Sequence, residues 1–126
     1  MMTHIMDHLW VGDSNFTDGD LARVHIDHVL NVGGVNIETS KFYTHIHLAD
    51  DGSNSPSQFS TILAVLDDSM KKGWTTLVCC RAGMSRSVYV IILWMQQMGF
   101  SKEEAYNYVK KLHPAAQVNY DLWRSM

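Results

Sequence analysis

Cysteine and proline are scarce in this chain of 126 residues, which contains only two of each. The two cysteines, Cys79 and Cys80, are neighbours, whereas a disulfide framework needs several cysteines spaced along the chain. Free thiols persist best in a reducing compartment, because oxidation consumes them elsewhere. The sequence therefore excludes a disulfide-stapled secreted domain, and we expect a cytoplasmic protein.

The chain also lacks an excess of positive charge and any long apolar run. Its net charge is −3 at pH 7, an acidic balance that weakens binding to nucleic acids and to anionic membrane surfaces. The longest apolar run, residues 88–95, is too short to cross a bilayer. Residues 1–10 carry polar side chains where a signal peptide needs an apolar core. We therefore expect no nucleic-acid partner and no membrane partner.

What is present is the composition of an ordinary globular protein. Hydrophobic residues make up 46% of the chain and charged residues 18%, as in typical folded domains. A chain of this length suffices for one hydrophobic core. We find no repeat, linker or low-complexity tract, so residues 1–126 are predicted to form a single domain.

Apolar periodicity predicts strands that alternate with helices. The predicted strands are residues 5–11, 27–32, 42–48 and 75–79, and the predicted helices are residues 17–25, 57–72, 87–98 and 101–112. This order indicates an α/β fold, with a central, mostly parallel sheet of four to five strands, helices on both faces and a helical C-terminal third. Ligands in such folds bind beyond the carboxyl ends of the strands.

The segment after the last predicted strand carries the strongest chemical signal. Cys80 is followed six positions later by Arg86, and residues 80–86 are called the phosphate loop below. Between them lie Arg81, Ala82, Gly83, Met84 and Ser85. So short a loop can turn successive backbone N–H groups inward as an anion nest, and a guanidinium binds two phosphate oxygens at once. The pattern predicts a phosphate site with Cys80 as its nucleophile.

Two further features support that interpretation. The predicted helix that begins at Ser87 brings its N-terminus to the loop, and helix N-termini attract anions. The Ser87 hydroxyl falls where it can donate a hydrogen bond to the sulfur of Cys80. Such a bond would stabilise the sulfur when it departs as a leaving group.

Residues 79–87, with a strand before them and a helix after, resemble the HC-x-x-G-x-SR-S signature of the small dual-specificity group of cysteine-dependent protein phosphatases. Residues 9–12, 28–32 and 113–119 are also similar to segments of that family, so the resemblance spans nearly the whole chain. It implies hydrolysis of phosphotyrosine and of phosphoserine or phosphothreonine in proteins through a phosphocysteine intermediate. It implies a phosphorylated protein as the partner, and neither a metal nor a cofactor.

Attack at phosphorus also calls for an acid that protonates the departing oxygen. Two candidates, Asp50 and Asp51, lie in the polar stretch at residues 49–56, called the acidic loop below. In the family the general acid precedes an aromatic residue by nine or ten positions, and Asp50 stands nine before Phe59. We predict Asp50 as the acid, with Asp51 as the alternative.

The chain departs from the family pattern at two positions. Cys79 stands where the family has a histidine that helps to order the loop, and Val118 stands where proline is commoner. The first departure predicts a Cys80 thiol that ionises less readily than in relatives. It also keeps open a pseudophosphatase that binds phosphoproteins without hydrolysing them. A phosphoinositide or an RNA 5′-phosphate is the alternative substrate, and no sequence pattern specifies the oligomeric state.

Two histidines offer a possible metal site. His45 and His47 alternate along a predicted strand and so share one of its faces. No third metal ligand is evident at a suitable spacing from them in the sequence. A half-buried strand face is the favoured interpretation, and no metal is predicted.

Overall fold

The computed structural model describes residues 1–126 as five strands and five helices. The strands are β1 (Met2–Met6), β2 (Leu9–Gly12), β3 (His28–Asn31), β4 (Phe42–His45) and β5 (Thr76–Cys79). The helices are α1 (Asp18–Arg23), α2 (Pro56–Lys71), α3 (Arg86–Gln97), α4 (Lys102–Leu112) and α5 (Tyr120–Arg124). None of these helices has the length and apolar character that a membrane crossing requires.

The strands form one sheet in the order β1-β2-β5-β3-β4. β2, β5, β3 and β4 are mutually parallel, and β1 pairs antiparallel with β2 at one edge. The predicted α/β class and mostly parallel sheet are confirmed. Because β5 is the central strand and is buried along its length, the loop that follows it emerges at the middle of the sheet edge.

The single strand predicted over residues 5–11 is wrong. The chain reverses there in a turn at Asp7 and His8, and His8 adopts a left-handed backbone with φ of 63°. The apolar side chains of Ile5 and Leu9 continue across the turn, so periodicity alone does not reveal it. The strand predicted over residues 42–48 also ends earlier, at His45.

The helices lie on both faces of the sheet, as predicted, but the two faces are unequal. The larger core joins one face to α2, α3 and α4 and contains 18 buried residues. The smaller core, beside α1, contains five: Leu21, Ile26, Val29, Leu77 and Cys79. Strand alternation places Cys79 in the smaller core and Cys80 in the larger one. The two cysteines therefore face opposite sides of the sheet.

The helix starts follow local sequence rules, with one exception at α3. Capping boxes begin α1 at Thr17 and α4 at Ser101, where side chains satisfy the first backbone N–H groups. At the start of α2 the side chain of Gln58 accepts a hydrogen bond from the N–H of Ser55. The N-cap of α3 is Ser85, whose side chain makes no capping hydrogen bond. The first N–H groups of α3 are therefore left without a side-chain acceptor at the end of the phosphate loop.

Candidate active site

Cys80 lies directly after the carboxyl end of β5, at the base of the phosphate loop. Its side chain is buried, and its Sγ lies 3.2 Å from the Oγ of Ser87. Ser87 is itself buried in the first turn of α3. A hydroxyl at this distance can donate a hydrogen bond to a thiolate. The predicted contact between Ser87 and Cys80 is therefore present in the structure.

Three carbonyl groups of the phosphate loop accept hydrogen bonds from outside the loop. Arg81 accepts from the N–H of Ser14 at 3.3 Å, Gly83 from Nε2 of His113 at 2.7 Å, and Met84 from the N–H of Gln117 at 2.8 Å. In a planar trans peptide the C=O and the following N–H point in opposite directions, and no peptide bond of the chain is cis. The N–H groups that follow these carbonyls are therefore turned away from the three outside partners, as an anion nest requires.

Gly83 allows the phosphate loop to lie against the end of β2. Its φ is +68°, and a Cβ at this position would lie 2.6 Å from the backbone N of Asp13 and 2.7 Å from the carbonyl carbon of Gly12. Atoms cannot approach that closely without displacement of the backbone. Both the left-handed conformation and the close approach therefore require glycine here.

Arg86 connects the phosphate loop to Leu48, the residue just before the acidic loop. Its Nη1 donates a hydrogen bond to the Leu48 carbonyl at 3.0 Å, and none of the four salt bridges in the structure involves it. The guanidinium is thus oriented by one bond, and its other N–H groups have no carboxylate partner. This leaves it able to bind an anion with two parallel hydrogen bonds.

The two candidate acids have different surroundings. Oδ1 of Asp50 accepts a hydrogen bond of 2.6 Å from the Ser85 hydroxyl, which in turn accepts one from the N–H of Asn119. Asp51 instead accepts hydrogen bonds from the hydroxyl and the N–H of Ser53. The hydrogen bonds from Ser53 lower the pKa of Asp51 below its ordinary value. Asp50 thus contacts the phosphate loop, and Asp51 bonds within the acidic loop.

The acidic loop is closed by the side chain of Asn54. Its amide oxygen accepts from the N–H of Ala49, and its amide nitrogen donates to the carbonyls of Ala49 and Asp51. These bonds hold the loop in a compact turn directly after residue 48. No sequence pattern predicted this role for Asn54, although an asparagine in a polar loop commonly bonds to the backbone.

Cys79 is separated from the site by the sheet. It is fully buried beside α1, and burial, together with the negative charges of Cys80 and Asp13, raises its pKa to about 12. Loss of solvation penalises the thiolate in such a place. Cys79 is therefore a neutral thiol at physiological pH.

His45 and His47 lie beside the turn that follows β3. Nε2 of His45 donates to the Gly33 carbonyl at 2.7 Å, and a Cβ at Gly34 would lie 3.1 Å from Nε2 of His47. A Cβ at Gly33 would in turn lie 3.1 Å from the backbone N of Arg81. The structure contains no group of three His, Cys, Asp or Glu side chains arranged to hold a metal ion. The two histidines thus support a turn that packs against the phosphate loop.

The residues that hold the loop carbonyls were not foreseen from the sequence. Ser14 belongs to none of the motifs found in the sequence. His113 and Gln117 fall in the segment 113–119 that resembles the family. That resemblance was the only signal for them. Their contacts span 30 residues or more along the chain, beyond the range of any periodicity.

Comparison with known proteins agrees with this geometry. The family profile described as "Dual specificity phosphatase, catalytic domain" matches residues 11–126. The chain is 30% identical over 112 residues to "Putative tyrosine phosphatase 123R" of Invertebrate iridescent virus 6, which covers 86% of this chain and 78% of the relative. It is 38% identical over 71 residues to the human "Dual specificity protein phosphatase 7", a match over 55% of this chain and 17% of that longer protein.

The fold is shared with solved structures. The crystal structure of human DUSP28 superposes with a TM-score of 0.86 over 99% of this chain and 92% of that one, at 21% sequence identity.

Proposed function

The chain belongs to the dual-specificity phosphatase family, and on this basis we propose that it is a cysteine-dependent phosphatase of phosphotyrosine and of phosphoserine or phosphothreonine in proteins. The observation that carries the proposal is the position of Cys80 at the base of a loop whose carbonyls are held from outside. That arrangement supports a thiolate nucleophile beneath a ring of N–H donors.

In the first step the Cys80 thiolate attacks phosphorus, so that an S–P bond forms as the ester P–O bond breaks. Arg86 and the N–H groups of residues 81–86 bind the non-bridging oxygens and stabilise the charge that they carry in the transition state. Asp50 gives its proton to the departing oxygen. The product is a phosphocysteine and the free hydroxyl of the substrate.

In the second step Asp50, now a carboxylate, takes a proton from water as the water oxygen attacks phosphorus. The S–P bond breaks and the sulfur leaves as a thiolate, which the Ser87 hydroxyl stabilises from 3.2 Å. Inorganic phosphate is released and the starting protonation state of Asp50 is restored. Arg86 and the loop dipoles supply the positive charge, so the reaction needs no added metal.

The surroundings of the two aspartates favour Asp50 as the acid. Asp50 contacts Ser85 of the phosphate loop, whereas the hydrogen bonds from Ser53 lower the pKa of Asp51 and keep it ionised. The contact with the phosphate loop therefore favours Asp50 as the acid.

The exposed position of the loop supports a substrate with either a short or a long phosphorylated side chain. Arg81 and Ala82 are exposed, and Met84 is 37% exposed at the mouth. A shallow site can be reached by phosphoserine or phosphothreonine as well as by phosphotyrosine.

The second candidate is a phosphoprotein-binding module without catalysis, which Cys79 in place of the family histidine favours. Turnover of p-nitrophenyl phosphate in the presence of a chelator separates the two functions. We expect hydrolysis, inhibition by vanadate, and a phosphorylated Cys80 in mass spectra of acid-quenched enzyme. Cys80→Ser should abolish all turnover, while the matched variant Cys79→Ser keeps it. Vanadate-insensitive turnover, or undiminished turnover by Cys80→Ser, would contradict the mechanism.

A further inference from the structure

His113 is a buried histidine with a hydrogen bond on each ring nitrogen. Its side chain lies at the end of α4 and is 2% exposed. Nε2 lies 2.7 Å from the carbonyl oxygen of Gly83 in the phosphate loop, and Nδ1 lies 2.7 Å from Oγ1 of Thr3 in β1. No step of the proposed reaction uses this ring, although it touches the loop that would bind the phosphate.

These partners determine where the ring carries its proton. A carbonyl oxygen can only accept a hydrogen bond, so Nε2 must be the donor to Gly83. In the neutral ring Nδ1 then has no hydrogen and accepts one from the Thr3 hydroxyl. The hydrogen bonds therefore run in one direction, from Thr3 through His113 to Gly83.

The bond to Gly83 fixes the peptide that joins Gly83 to Met84. Because this peptide is trans and planar, holding its carbonyl toward His113 turns the N–H of Met84 in the opposite direction. His113 is buried whereas Met84 is 37% exposed, so the N–H of Met84 turns away from the buried ring and toward the open side of the loop. Glycine is the residue with the widest intrinsic backbone freedom, so the bond from His113 holds a peptide that the residue type by itself leaves unrestricted.

The histidine itself is firmly placed. Its backbone N–H donates to the carbonyl of Val109, and its own carbonyl accepts from the N–H of Ala116. The Oη of Tyr108 donates to the carbonyl of Ile5 at 2.6 Å, which joins α4 to the strand that carries Thr3. The ring is therefore held between α4 and β1, and the loop carbonyl rests on it.

From this geometry we propose that His113 is a positioning residue for oxyanion binding, which holds the Met84 N–H toward the phosphate through the Gly83 carbonyl. The inference rests on the proposed function, because it assumes that the loop binds a phosphate. It assigns the ordering of the loop to a histidine 33 positions after Cys80 along the chain. A histidine then supports the loop in this chain as well, although Cys79 occupies the position of the family histidine before the nucleophile.

The test is tungstate binding by calorimetry, which measures the affinity of the phosphate loop for an oxyanion without any turnover. His113→Phe keeps a ring but leaves the Gly83 carbonyl without a donor, and the affinity for tungstate should fall about tenfold or more. His113→Gln places an amide N–H near the position of Nε2 and should restore most of the affinity. The same order should hold for kcat/KM on p-nitrophenyl phosphate.

His28→Phe is the matched control. His28 is equally buried and is also bonded on both ring nitrogens, to Ser69 and Thr44, but it lies beside a groove of about 430 Å³ at the amino ends of the strands. The variant removes a comparable buried histidine far from the loop, so its tungstate affinity should equal that of wild type. An equal loss in His28→Phe would mean that general destabilisation explains the effect, and would overturn the proposal.

The outcomes separate this inference from the proposed function. If wild type binds no tungstate and hydrolyses nothing, the proposed function fails and the inference fails with it. If wild type binds and His113→Phe binds equally well, only the inference fails. Should His113→Phe not fold, long-range ¹H–¹⁵N spectra of the wild-type ring decide, because a proton on Nδ1 instead of Nε2 would overturn the proposed direction of the bonds.

Discussion

At the scale of single residues, neighbours of the same type have different chemistry because their surroundings differ. Cys79 and Cys80 are adjacent, yet the first packs beside α1 and the second lies beneath the phosphate loop. Asp50 and Asp51 are adjacent as well, and only Asp50 contacts the loop. In both pairs the residue type was a weak guide: packing distinguishes the two cysteines, and hydrogen-bond partners distinguish the two aspartates.

The aspartate pair gives a prediction with a built-in control. An acid matters most when the departing oxygen is strongly basic. Asp50→Asn should therefore lower kcat by about 10²-fold or more on phosphothreonine peptides, with a smaller loss on p-nitrophenyl phosphate. Asp51→Asn should be mild on both, and steady-state kinetics with the two substrates measures the difference.

The pH–rate profile provides a second measurement of the same prediction. Its basic limb reports the proton that the acid must hold, so it should flatten in Asp50→Asn and persist in Asp51→Asn. The reverse pattern would move the assignment to Asp51. Equal behaviour of both variants on both substrates would place the acid elsewhere.

At the scale of elements, the phosphate loop takes its shape from the segments around it. The end of β2 lies against Gly83, the turn after β3 lies against Arg81, and residues 113–117 hold two of its carbonyls. No backbone hydrogen bond of a turn or loop joins two residues within 80–86. The phosphate loop therefore depends on close contact with its neighbours.

Gly83→Ala tests that dependence, with Gly73→Ala as its matched control. Both glycines have left-handed backbones, with φ of 68° and 72°, but nothing lies within 4 Å of a Cβ at Gly73, whereas Asp13 would lie 2.6 Å from one at Gly83. Gly73→Ala should cost about 1–2 kcal/mol of stability with activity intact. Gly83→Ala should in addition lower kcat/KM by about 10²-fold or more, because the loop is displaced.

Thermal unfolding of both variants measures the loss of stability, and steady-state turnover measures the loss of kcat/KM. Gly83→Ala with normal kcat/KM would show that the loop tolerates displacement from β2. A comparable loss of activity in Gly73→Ala would trace the effect to backbone strain in general and not to the collision with Asp13.

At the scale of the whole molecule, buried titratable groups make folding depend on pH. Burial raises the pKa of Cys79 from its ordinary 9.0 to about 12, and burial lowers the pKa of His28 from its ordinary 6.5. Above pH 9 the Cys79 thiol ionises in the unfolded chain before it can in the folded one, so unfolding releases a proton. Below pH 6.5 the unfolded chain binds a proton at His28 that the folded chain resists.

Stability should therefore be highest between about pH 6.5 and pH 9 and fall on either side of that range. Along the alkaline limb, Cys79 alone should remove about 1.4 kcal/mol of unfolding free energy per pH unit between its two pKa values. Denaturant titrations at several pH values measure this slope. Cys79→Ala should show a shallower alkaline limb, while Tyr89, whose pKa burial also raises, contributes equally to both proteins. Parallel alkaline limbs in the two proteins would mean that Cys79 does not govern this loss.

Features that depend on short stretches of chain were determined by the sequence itself. The spacing of Cys80 and Arg86 predicted the phosphate loop, because six residues between a strand and a helix leave the backbone few other paths. Capping residues such as Ser101 marked helix starts through bonds to N–H groups only three residues away. The alternation of strands and helices indicated a parallel sheet, and strand parity placed the two cysteines on opposite faces.

The tertiary structure decided what depends on contacts between distant residues. The left-handed turn at His8 divided one predicted strand into two, Ser85 bonded to Asp50 and not to Asp51, and His113 came to rest against the carbonyl of Gly83. Periodicity carries information about which face of an element is apolar, and none about which polar atoms meet across the fold. These long-range hydrogen bonds follow from the strand order and from how α4 and the acidic loop pack against the sheet. A hydrogen bond forms only where packing brings the donor and the acceptor within about 3 Å of each other.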